Sequence, residues 1–234
     1  MELTILMPCL NEENTILTCI NKALKFLEDN NIKGEVLIAD NGSTDNSRKI
    51  IAKTKARFII VHKKGYGNAL IAGIKNAKGK YIIMGDSDDS YDFTHLMPFI
   101  EKLREGNELV MGTRYGGIDK GAMPISHFFG VKALTWLGNI LYGTRLGDYH
   151  CGLRGFNRKQ ILKLGLECGG MDFASEIILK SAKAKYKIVE LQTTLKKDGR
   201  TGKPHLRTFR DGWLHVKCLF KYRWKKWKRV YFYR

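Results

Sequence analysis

The first half of the chain alternates short apolar runs with amphipathic segments, and this alternation limits its possible folds more than any other feature of the sequence. The segment 13–30, "ENTILTCINKALKFLEDN", has apolar residues at helical spacing, which is typical of a helix with one buried face. The apolar runs are typical of strands buried on both faces. They are Leu3–Met7, Val36–Ala39, Phe58–Val61, Tyr81–Met84 and Leu109–Met111. Strands and helices in this order predict β-α-β units, and therefore an α/β fold with a mostly parallel central sheet flanked by helices.

The second half is less regular but continues the same domain. Residues 123–142 and the segment "MDFASEIILKSAKA" have helical patterns, whereas "DYHCGLRGF" and "KIVELQTTL" predict strands. No stretch of linker-like composition separates the two halves. We therefore expect one domain over residues 1–212 and a C-terminal extension over residues 213–234.

Signals for helix ends occur at three places in the first half. Ser43, Thr44 and Asp45 precede the second helical pattern, and residues of these types cap helix N-termini with their side-chain oxygens. Gly79 ends the helical pattern "GNALIAGIKNAKG", and Gly106 ends the pattern "THLMPFIEKLREG". Glycine commonly terminates a helix at such a position. We expect helix caps at these positions.

A polar loop follows each of the five predicted strands. The loops read "PCLNEE", "DNGSTD", "KKGYGN", "GDSDDS" and "GTRYGG". The carboxyl ends of parallel strands share one edge of a sheet, and ligands of open α/β folds bind at that edge. The candidate site therefore lies where these loops meet.

The densest group of acids follows the fourth apolar run. Asp86, Asp88, Asp89 and Asp92 lie within seven residues of one another. Two carboxylates separated by one residue can hold a hard cation such as Mg²⁺ or Mn²⁺ against an anion. The same pattern fits a solvated turn at a helix start, in which Asp92 or Thr94 caps the helix.

Three other kinds of site with related local patterns are disfavoured. A calcium loop of the EF-hand type needs Gly and Glu where this chain has Tyr91 and Met97. A phosphatase of the haloacid dehalogenase type would share the pattern "DSDDS" but needs a later acidic pair, and the later aspartates are isolated. A dinucleotide site would place a glycine-rich turn after the first strand, where the chain has "MPCLNEEN".

The chain has a large excess of positive charge, with 41 Lys and Arg residues against 23 Asp and Glu and a formal net charge of +18. This excess predicts an anionic partner, which can be nucleic acid, an acidic membrane surface or a phosphorylated substrate.

The final segment, "KCLFKYRWKKWKRVYFYR", interleaves Trp224 and Trp227 with basic side chains. It suits the headgroup region of an anionic bilayer. Base stacking on nucleic acid and simple packing on the domain are the alternatives.

Cysteine usage and the N-terminus bear on the compartment. The five cysteines are scattered without a C-x-x-C pair, which argues against a disulfide framework and a structural zinc site. The N-terminus lacks the basic region of a signal peptide, and no window reaches the roughly 18 apolar residues of a membrane-spanning helix. We expect a cytoplasmic protein, peripheral on the inner face of the cell membrane.

Taken in order, the loop sequences resemble those of the family 2 glycosyltransferases, which have the nucleotide-diphospho-sugar transferase (GT-A) fold. The resemblance covers roughly residues 3–210 and is closest to the dolichyl- or polyprenyl-phosphate mannose or glucose synthases. It rests on "ILMPCLNEENTI", "VLIADNGSTDNS", "KKGYGNALIAGIKNAKGKYIIMGDSDDS", "LVMGTRYGG", "GDYHCGLRGFNR" and "DGRTGKPHLR".

The resemblance implies a nucleotide-sugar site in the loops after the first four strands. Asp86 and Asp88 match the D-x-D that handles the ribose and the ion, Mg²⁺ or Mn²⁺, that bridges the diphosphate. Asp40 matches the aspartate that reads the base, and its alternative role is an Asx-turn or helix cap with Ser43. The expected nucleotide-sugar ligands are Pro8, Asn11, Glu12, Asp40, Lys64, Gly65, Asp86 and Ser87.

Three residues are implied in catalysis. Asp88 would act through the metal on the departing diphosphate, and Arg114 would face the acceptor. Glu176 lies near the position of the catalytic base in other family 2 enzymes, a base that a hydroxyl acceptor needs and a phosphate acceptor does not. Related synthases often carry Gln where this chain has Ser90, so Asp89 or water would supply the third metal ligand.

Basic residues of the second half are implied at the acceptor and diphosphate. Related synthases often place a second arginine in the helix after Arg114, where this chain has His127 and Lys132. Asp148 would shape the site together with Arg154 or form a structural salt bridge. The loop "DGRTGKPHLR" is expected to be a mobile lid, with a solvated basic loop as the alternative. The expected ligands are Arg114, Arg154, Arg200, Lys203 and His205.

The implied activity is an inverting transfer of a sugar from a UDP-glucose-like donor or GDP-mannose to a polyprenyl phosphate at an anionic membrane surface. Two alternatives stay open. One is a soluble family 2 enzyme acting on a glycan hydroxyl, and the other is a basic nucleic-acid-binding protein. Nucleic acid is not the expected partner, because its binding has no use for a carboxylate cluster at the sheet edge.

Overall fold

The computed structural model describes residues 1–199 and 208–224, and every structural statement below refers to these residues. The strands of the sheet are β1 (Leu3–Cys9), β2 (Gly34–Asp40), β3 (Arg57–Ile60), β4 (Tyr81–Met84), β5 (Leu109–Thr113), β6 (Arg154–Asn157) and β7 (Ile188–Gln192). A 3₁₀ turn spans Arg114–Gly116. The helices are α1 (Ile16–Asp29), α2 (Ser47–Ile51), α3 (Tyr66–Asn76), α4 (Met97–Arg104), α5 (Ile125–Tyr142), α6 (Arg158–Lys163), α7 (Phe173–Lys183) and α8 (Thr208–Trp224).

The strands form one sheet in the order β3-β2-β1-β4-β6-β5-β7. β1 pairs in parallel with β2 and β4, β2 with β3, and β5 with β7. β6 is antiparallel to both of its neighbours, β4 and β5, so the remaining six strands point the same way. The mostly parallel sheet is confirmed. The first five strands therefore present their carboxyl ends, and the loops that follow them, at one edge.

Helices cover both faces of the sheet and bury a separate apolar core on each face. Along β1, Ile5 and Met7 pack into one core with α1 and α4, whereas Leu6 packs into the other with α3 and α7. The core on the Leu6 side also receives Val61 of the third loop and Phe156 of β6. Because successive side chains enter different cores, each central strand is apolar on both faces.

The C-terminal helix α8 crosses the boundary expected between residues 212 and 213. Its Cys218, Leu219 and Tyr222 are buried and belong to the same core as Leu6. Up to Trp224 the chain is therefore part of the domain rather than a separate extension. None of the described helices is long and apolar enough to cross a membrane.

Two of the expected helix ends are wrong. α2 begins at Ser47 without a side-chain cap, and Ser43 lies in the loop before it. α3 ends at Asn76, and Gly79 lies in the turn before β4, where a Cβ would be 2.5 Å from the backbone nitrogen of Thr4. Close backbone contact therefore explains this glycine. The expectation for Gly106 is confirmed, since it follows α4 with a φ of +92°.

Candidate active site

The first and second loops are joined by side-chain hydrogen bonds at the carboxyl edge of the sheet. Asn11, at a φ of 57°, accepts a hydrogen bond from the backbone nitrogen of Thr44 (2.8 Å) and donates its own backbone N–H to the hydroxyl of Ser43 (3.0 Å). The backbone N–H of Glu12 donates to the hydroxyl of Ser47 (2.9 Å). The small polar residues expected to cap α2 thus hold the first loop in place instead.

Asp40, at the end of β2, is completely buried. Its Oδ1 accepts hydrogen bonds from the backbone N–H of Gly42 (3.1 Å) and Ser43 (3.3 Å) and from Nε of Arg48 (2.7 Å). Burial works to raise the pKa of Asp40, but these hydrogen bonds outweigh it and the pKa is lowered. The structure thus contains the Asx-turn that was the alternative role for Asp40, and base recognition by this residue stays a prediction.

Asn41 connects the second loop to the third. Its Nδ2 donates to the carbonyl of Lys63 (2.9 Å), and its Oδ1 accepts from the backbone N–H of Gly65 (2.6 Å). In return, Nζ of Lys64 donates to the carbonyls of Asn41 (2.9 Å) and Gly42 (3.2 Å). The ammonium group of Lys64 therefore lies against the second loop, beside Asp40.

The glycines around Tyr66 are required by contacts within the chain. A Cβ on Gly65 would lie 2.2 Å from the carbonyl oxygen of Gly169, and one on Gly67 would lie 2.1 Å from that of Cys168. Gly65 also has a φ of +128°, which other residues rarely adopt. The reason for both glycines is thus the close approach of the loop before α7.

Asp86 is held between an aromatic hydroxyl and a glycine. The hydroxyl of Tyr66 donates a hydrogen bond to Oδ1 of Asp86 (2.9 Å). Burial, followed by the charge of Asp86, raises the pKa of Tyr66 well above its ordinary value, so that the phenol stays a donor. On the other side, a Cβ on Gly152 would lie only 2.5 Å from Oδ2 of Asp86. The carboxylate occupies space that any side chain at position 152 would take.

Asp88 is oriented by hydrogen bonds from Ser90, two residues later in the same loop. Its Oδ1 accepts hydrogen bonds from the backbone N–H (3.1 Å) and the hydroxyl (2.6 Å) of Ser90. Between the two aspartates, the hydroxyl of Ser87 donates to the carbonyl of Pro8 (2.7 Å), and the carbonyl of Ser87 accepts from Thr15 (2.8 Å). Ser87 and Pro8 therefore connect the first and fourth loops, and Ser90 positions Asp88.

The other two acids of the cluster have separate roles. Asp89, at a φ of 63°, forms an ion pair with Lys22 of α1 (2.7 Å). Asp92 accepts from the backbone N–H and the hydroxyl of Thr94 (2.9 and 2.7 Å), but α4 begins only at Met97. Asp92 therefore forms an Asx-turn and is not the helix cap we expected. Asp89 does not join Asp86 as a third metal ligand, since the described residues contain no group of three or more acidic, His or Cys side chains that could hold an ion.

The pair Asp86 and Asp88 nevertheless fits Mg²⁺ or Mn²⁺. Both are hard oxygen donors on one loop, and hydrogen bonds from Tyr66 and Ser90 orient their carboxylates. Ions of this kind in phosphate-transfer sites commonly take one or two carboxylates and complete their coordination with water and substrate phosphates. A two-carboxylate site is thus sufficient for an ion that arrives with a diphosphate.

Arg114 forms a buried ion pair directly after β5. Its Nε and Nη2 donate to the two carboxylate oxygens of Asp148 at 2.6 and 2.9 Å, a bidentate geometry that fixes the guanidinium plane. Arg114 is only 5% exposed. Its remaining terminal nitrogen, Nη1, has no hydrogen-bond partner among the described residues. Asp148 therefore pairs with Arg114, not with Arg154, and leaves one donor group for an anion.

The start of α5 places further cationic and aromatic groups around this ion pair. Nζ of Lys132 lies over the rings of Phe128 (4.4 Å) and Tyr115 (5.0 Å). Burial and then the charge of Arg114 lower the pKa of His127. His127 and Lys132, the two residues that the sequence analysis named in this helix, are thus both close to Arg114 or its aromatic neighbours.

Arg154 lies beneath the site and not on its surface. It is 1% exposed, and its Nε, Nη1 and Nη2 donate to the carbonyls of Cys151 (2.8 Å), Ala174 (2.7 Å) and Tyr149 (2.9 Å). Because all three nitrogens bind backbone, the expected contact with acceptor or diphosphate is not supported. Arg154 instead fastens β6 to the start of α7.

Glu176 is buried between α7, the turn before it and α8. Its carboxylate accepts from the backbone N–H of Cys168 (2.8 Å) and the hydroxyl of Tyr222 (2.7 Å), and it pairs with Lys180 (2.7 Å). It has no exposed surface. A base must reach the proton that it removes. The burial and partners of Glu176 give it a structural role, in which it stabilises the turn before α7 and its contact with α8, and the expected catalytic role stays a prediction.

The expected basic ligands Arg200, Lys203 and His205 lie outside the described residues. The chain that leads to them is fastened to the acidic loop. The backbone N–H of Gly199 donates to the carbonyl of Asp88 (2.9 Å), and that of Lys196 donates to the carbonyl of Ser90 (3.0 Å). The first described segment, residues 1–199, thus ends directly beside the D-x-D.

Several residues that build the site were missed by sequence reasoning. Tyr66, Asn41 and Gly152 lie inside motifs that the sequence analysis quoted, so attention to the middle of each motif could have found them. Arg48 had no such signal, because its pairing with Asp40 depends on how α2 is oriented.

Comparison with known sequences gives consistent matches. The family described as glycosyl transferase family 2 matches residues 4–164. The chain is 38% identical over 220 residues to the low-salt glycan biosynthesis hexosyltransferase Agl6 of Haloferax volcanii, covering 93% of this chain but 52% of Agl6. The chain thus spans about half the length of that relative. It is 28% identical over 214 residues to a dolichyl-phosphate hexose transferase of the same organism, covering 90% of this chain and 89% of that protein.

Among solved structures, the chain is similar to glucosyl-3-phosphoglycerate synthase from Mycobacterium tuberculosis in complex with Mn²⁺, UDP and phosphoglyceric acid. The TM-score is 0.76 at 18% identity, covering 95% of this chain and 78% of that one. A crystal structure of the same synthase with Mg²⁺ and UDP matches with a TM-score of 0.75 at 19% identity and covers 94% of this chain and 79% of that one. At this level of identity the similarity concerns the fold.

Proposed function

The chain belongs to glycosyl transferase family 2, and on this basis we propose that it transfers a sugar from a nucleotide-diphosphate sugar to a polyprenyl phosphate. It is a glycosyltransferase with the GT-A fold, and enzymes of this family generally invert the anomeric configuration. The donor is a UDP-glucose-like sugar or GDP-mannose. Mg²⁺ or Mn²⁺ accompanies the diphosphate.

The observation that carries the donor site is the convergence of two oriented aspartates with three fastened loops. Tyr66 holds Asp86 and Ser90 holds Asp88 at the carboxyl end of β4. The first loop lies directly beside them, since Ser87 binds the carbonyl of Pro8. A divalent ion held there supplies positive charge to the departing diphosphate. Because the protein holds both carboxylates before the donor arrives, little reorganisation is needed when charge develops.

The acceptor is inferred from the chemistry around Arg114. Its Nη1 and the neighbouring Lys132 supply positive charge beside the site, which suits a phosphate more than a glycan hydroxyl. A phosphate oxygen is already anionic and attacks without a strong base. This agrees with the complete burial of Glu176. The similarity to a dolichyl-phosphate hexose transferase supports the same acceptor class.

The test compares Asp88→Asn with Asp89→Asn. We expect Asp88→Asn to lose metal-dependent transfer by about 100-fold or more, because an amide is a poor ligand for a hard cation. Asp89→Asn is the matched control. It changes the neighbouring acid in the same way, and Asn tolerates the left-handed backbone of that position.

The measurement is transfer from UDP- and GDP-sugars to a polyprenyl phosphate, with and without Mn²⁺, after thermal-shift screening of the donors. Near-full metal-dependent transfer by Asp88→Asn would contradict the metal assignment. Transfer to an oligosaccharide but not to the lipid phosphate would contradict the acceptor class.

A further inference from the structure

The exposed apolar side chains of the structure are concentrated on two helices. Seven of the eleven large hydrophobic residues that are exposed among the described residues belong to α5 and α8. On α5 they are Ile125 (77% exposed), Phe129 (64%), Trp136 (66%) and Ile140 (60%), and on α8 they are Trp213 (59%), Phe220 (39%) and Trp224 (72%). Single exposed apolar residues are ordinary on soluble proteins, but a contiguous set is a mark of an interaction surface.

The α5 residues form one stripe. Ile125, Phe129, Trp136 and Ile140 follow one another at intervals of four, seven and four residues, which places them on one face of a helix. The opposite side of α5 is buried through Val131, Thr135 and Gly138. The stripe therefore points away from the domain along the full length of the helix.

The α8 residues form a second stripe of the same kind. Trp213, Phe220 and Trp224 are spaced by seven and four residues, and the rings of Phe220 and Trp224 are stacked at 5.8 Å. Lys217 lies on the same face, with Nζ 5.7 Å from the ring of Trp213. The other side of α8 is buried in the core.

The two helices pack together. The hydroxyl of Tyr142, at the end of α5, donates a hydrogen bond to the carbonyl of Leu219 in α8 (2.6 Å). The two stripes thus lie on neighbouring helices, and we call their residues together the α5–α8 face. It consists of Ile125, Phe129, Trp136, Ile140, Trp213, Phe220 and Trp224.

Positive charge borders the α5–α8 face. Arg210, Lys217 and Arg223 are exposed along α8, as is Lys221, which pairs with Glu167 (3.0 Å), and Asp211 is the acidic residue of the helix. Aliphatic and indole side chains surrounded by Lys and Arg match the headgroup region of an anionic bilayer, where the rings enter the interface and the cations meet lipid phosphates. A second copy of the same basic face would meet like charge, in a chain whose net charge is +18.

We propose that the α5–α8 face is a membrane-docking surface that binds the headgroup region of anionic bilayers. It adjoins the acceptor side of the site. The ring of Phe129 contacts that of Phe128 (centroids 5.6 Å apart), which contacts Tyr115 (5.3 Å), the neighbour of Arg114. Where the proposed function holds, docking on this face brings a lipid phosphate in the same bilayer close to Arg114. The binding itself is independent of that function.

The experiment measures co-sedimentation of the full chain with vesicles of phosphatidylcholine, with and without about one third phosphatidylglycerol. Two paired variants, Phe129→Ser with Trp136→Ser on α5 and Trp213→Ser with Trp224→Ser on α8, remove two rings from each stripe. We expect each pair to lower binding to the anionic vesicles by at least about tenfold, because each lost ring removes apolar area from the interface. Binding should also weaken as salt is raised.

The matched control is Ile60→Ser, which removes an exposed apolar side chain (49% exposed) from β3, the strand at one edge of the sheet and not part of either helix. It should bind vesicles as the unaltered chain does. Retention of the donor-induced thermal shift in the paired variants checks that they are folded, and this shift reports on the donor site independently of vesicle binding. Unchanged vesicle binding by either pair would overturn the proposal. So would a paired variant that still binds vesicles but no longer forms a dimer that the unaltered chain forms, because the face would then bind a second copy of the chain. Failure of transfer with intact vesicle binding would count against the proposed function alone.

Discussion

Asp86 keeps its position because its neighbour across the loop has no side chain. A Cβ on Gly152 would approach Oδ2 of Asp86 to 2.5 Å and the ring of Tyr91 to 3.0 Å. The tyrosine ring is buried, so the side chain that yields is the carboxylate. Gly152, in the segment before β6, therefore controls the direction of the Asp86 carboxylate, a proposed metal ligand in the loop after β4.

We predict that Gly152→Ala lowers metal-dependent transfer by roughly 100-fold, since misplacing a group by about 1 Å can have this effect on a rate. The matched control is Gly130→Ala in α5, where a Cβ has no neighbour within 4 Å. That variant should retain transfer and should raise the free energy of unfolding by up to about 1 kcal/mol, because Ala is the better helix former. Steady-state transfer and denaturant unfolding measure the two effects. Equal activity of both variants would contradict the role of Gly152.

Two histidines of the structure are buried in their neutral form. The rings of His150 and His215 are in edge contact at 4.4 Å, and Ser175 lies 2.9 Å from Nδ1 of His215. Burial is the main cause that lowers the pKa of His215 to about 4 and that of His150 well below its ordinary value. Asp172 works in the opposite direction on His215, but it does not outweigh burial.

The sign of the resulting pH dependence follows from these pKa values. In the unfolded chain a histidine has a pKa of 6.5, so between pH 6.5 and about 4 the unfolded state binds more protons than the folded state. The stabilisation by neutral His215 is therefore complete above pH 6.5 and is lost as the pH falls towards 4. One pKa unit corresponds to about 1.4 kcal/mol, so His215 alone accounts for roughly 3 kcal/mol.

We predict that His215→Gln removes a large part of this pH dependence, as measured by urea unfolding at a series of pH values. The exposed His62 provides the control, and His62→Asn should keep the full loss of stability at acid pH. A profile for His215→Gln that matches the unaltered chain would show that another group causes the loss.

At the scale of elements, α7 is tied to its surroundings by a buried charge network. Glu176 and Lys180 are 0% and 4% exposed and lie one helical turn apart. Lys180 also donates to the carbonyl of Gly165 (2.6 Å), and Glu176 binds Tyr222 of α8. This network joins α7, the turn that precedes it and α8, the helix that carries half of the α5–α8 face.

We predict that Glu176→Gln lowers the free energy of unfolding by about 3–5 kcal/mol, because it leaves Lys180 charged and buried without its partner. The folded fraction should keep its turnover with a phosphate acceptor. The exposed pair Lys25 and Asp29 has the same helical spacing, so Asp29→Asn is the matched control and should change stability by less than about 0.5 kcal/mol. If Glu176→Gln instead has the same free energy of unfolding as the unaltered chain but has lost its turnover, the result would support a catalytic role for Glu176.

At the scale of the whole molecule, the two cores share one sheet. The five cysteines are free and buried, with Cys9, Cys19 and Cys151 in one core and Cys168 and Cys218 in the other. Burial is the main cause that raises the pKa of Cys9 and Cys19 to about 12 and that of Cys151 to about 11. The thiols of one core therefore report on the opening of one face of the sheet, and those of the other core on the opposite face.

We predict that all five thiols react with a thiol reagent at one slow rate near neutral pH, and rapidly in denaturant. The central strands of the sheet are buried on both faces. Neither core can therefore become exposed to solvent unless the sheet itself unfolds. Mass spectrometry of partly labelled protein measures this, and the expected mixture contains unlabelled and fully labelled chains. Early labelling of Cys168 and Cys218 alone would indicate that the α7–α8 side opens independently.

The sequence by itself determined the order of strands and helices, the mostly parallel sheet and the edge at which the candidate site lies. These features depend on local patterns, because apolar runs and helical spacing are written along the chain. It also placed Asp86 and Asp88 together, since they lie on one loop. The seven-strand order with a reversed β6 was not readable in this way, because pairing between distant strands leaves no local pattern.

Only the tertiary structure decided what individual polar residues do. Asp40, Arg154 and Glu176 are charged residues in plausible motifs, yet each is buried and bound by partners that lie up to 8, 20 or 46 residues away, at Arg48, Ala174 and Tyr222. The glycines at positions 65 and 67 are required by backbone that lies about a hundred residues later in the chain. The α5–α8 face likewise depends on which sides of two helices the domain covers. A side chain's partner is set by three-dimensional packing, and a linear sequence contains no direct record of which surfaces remain exposed.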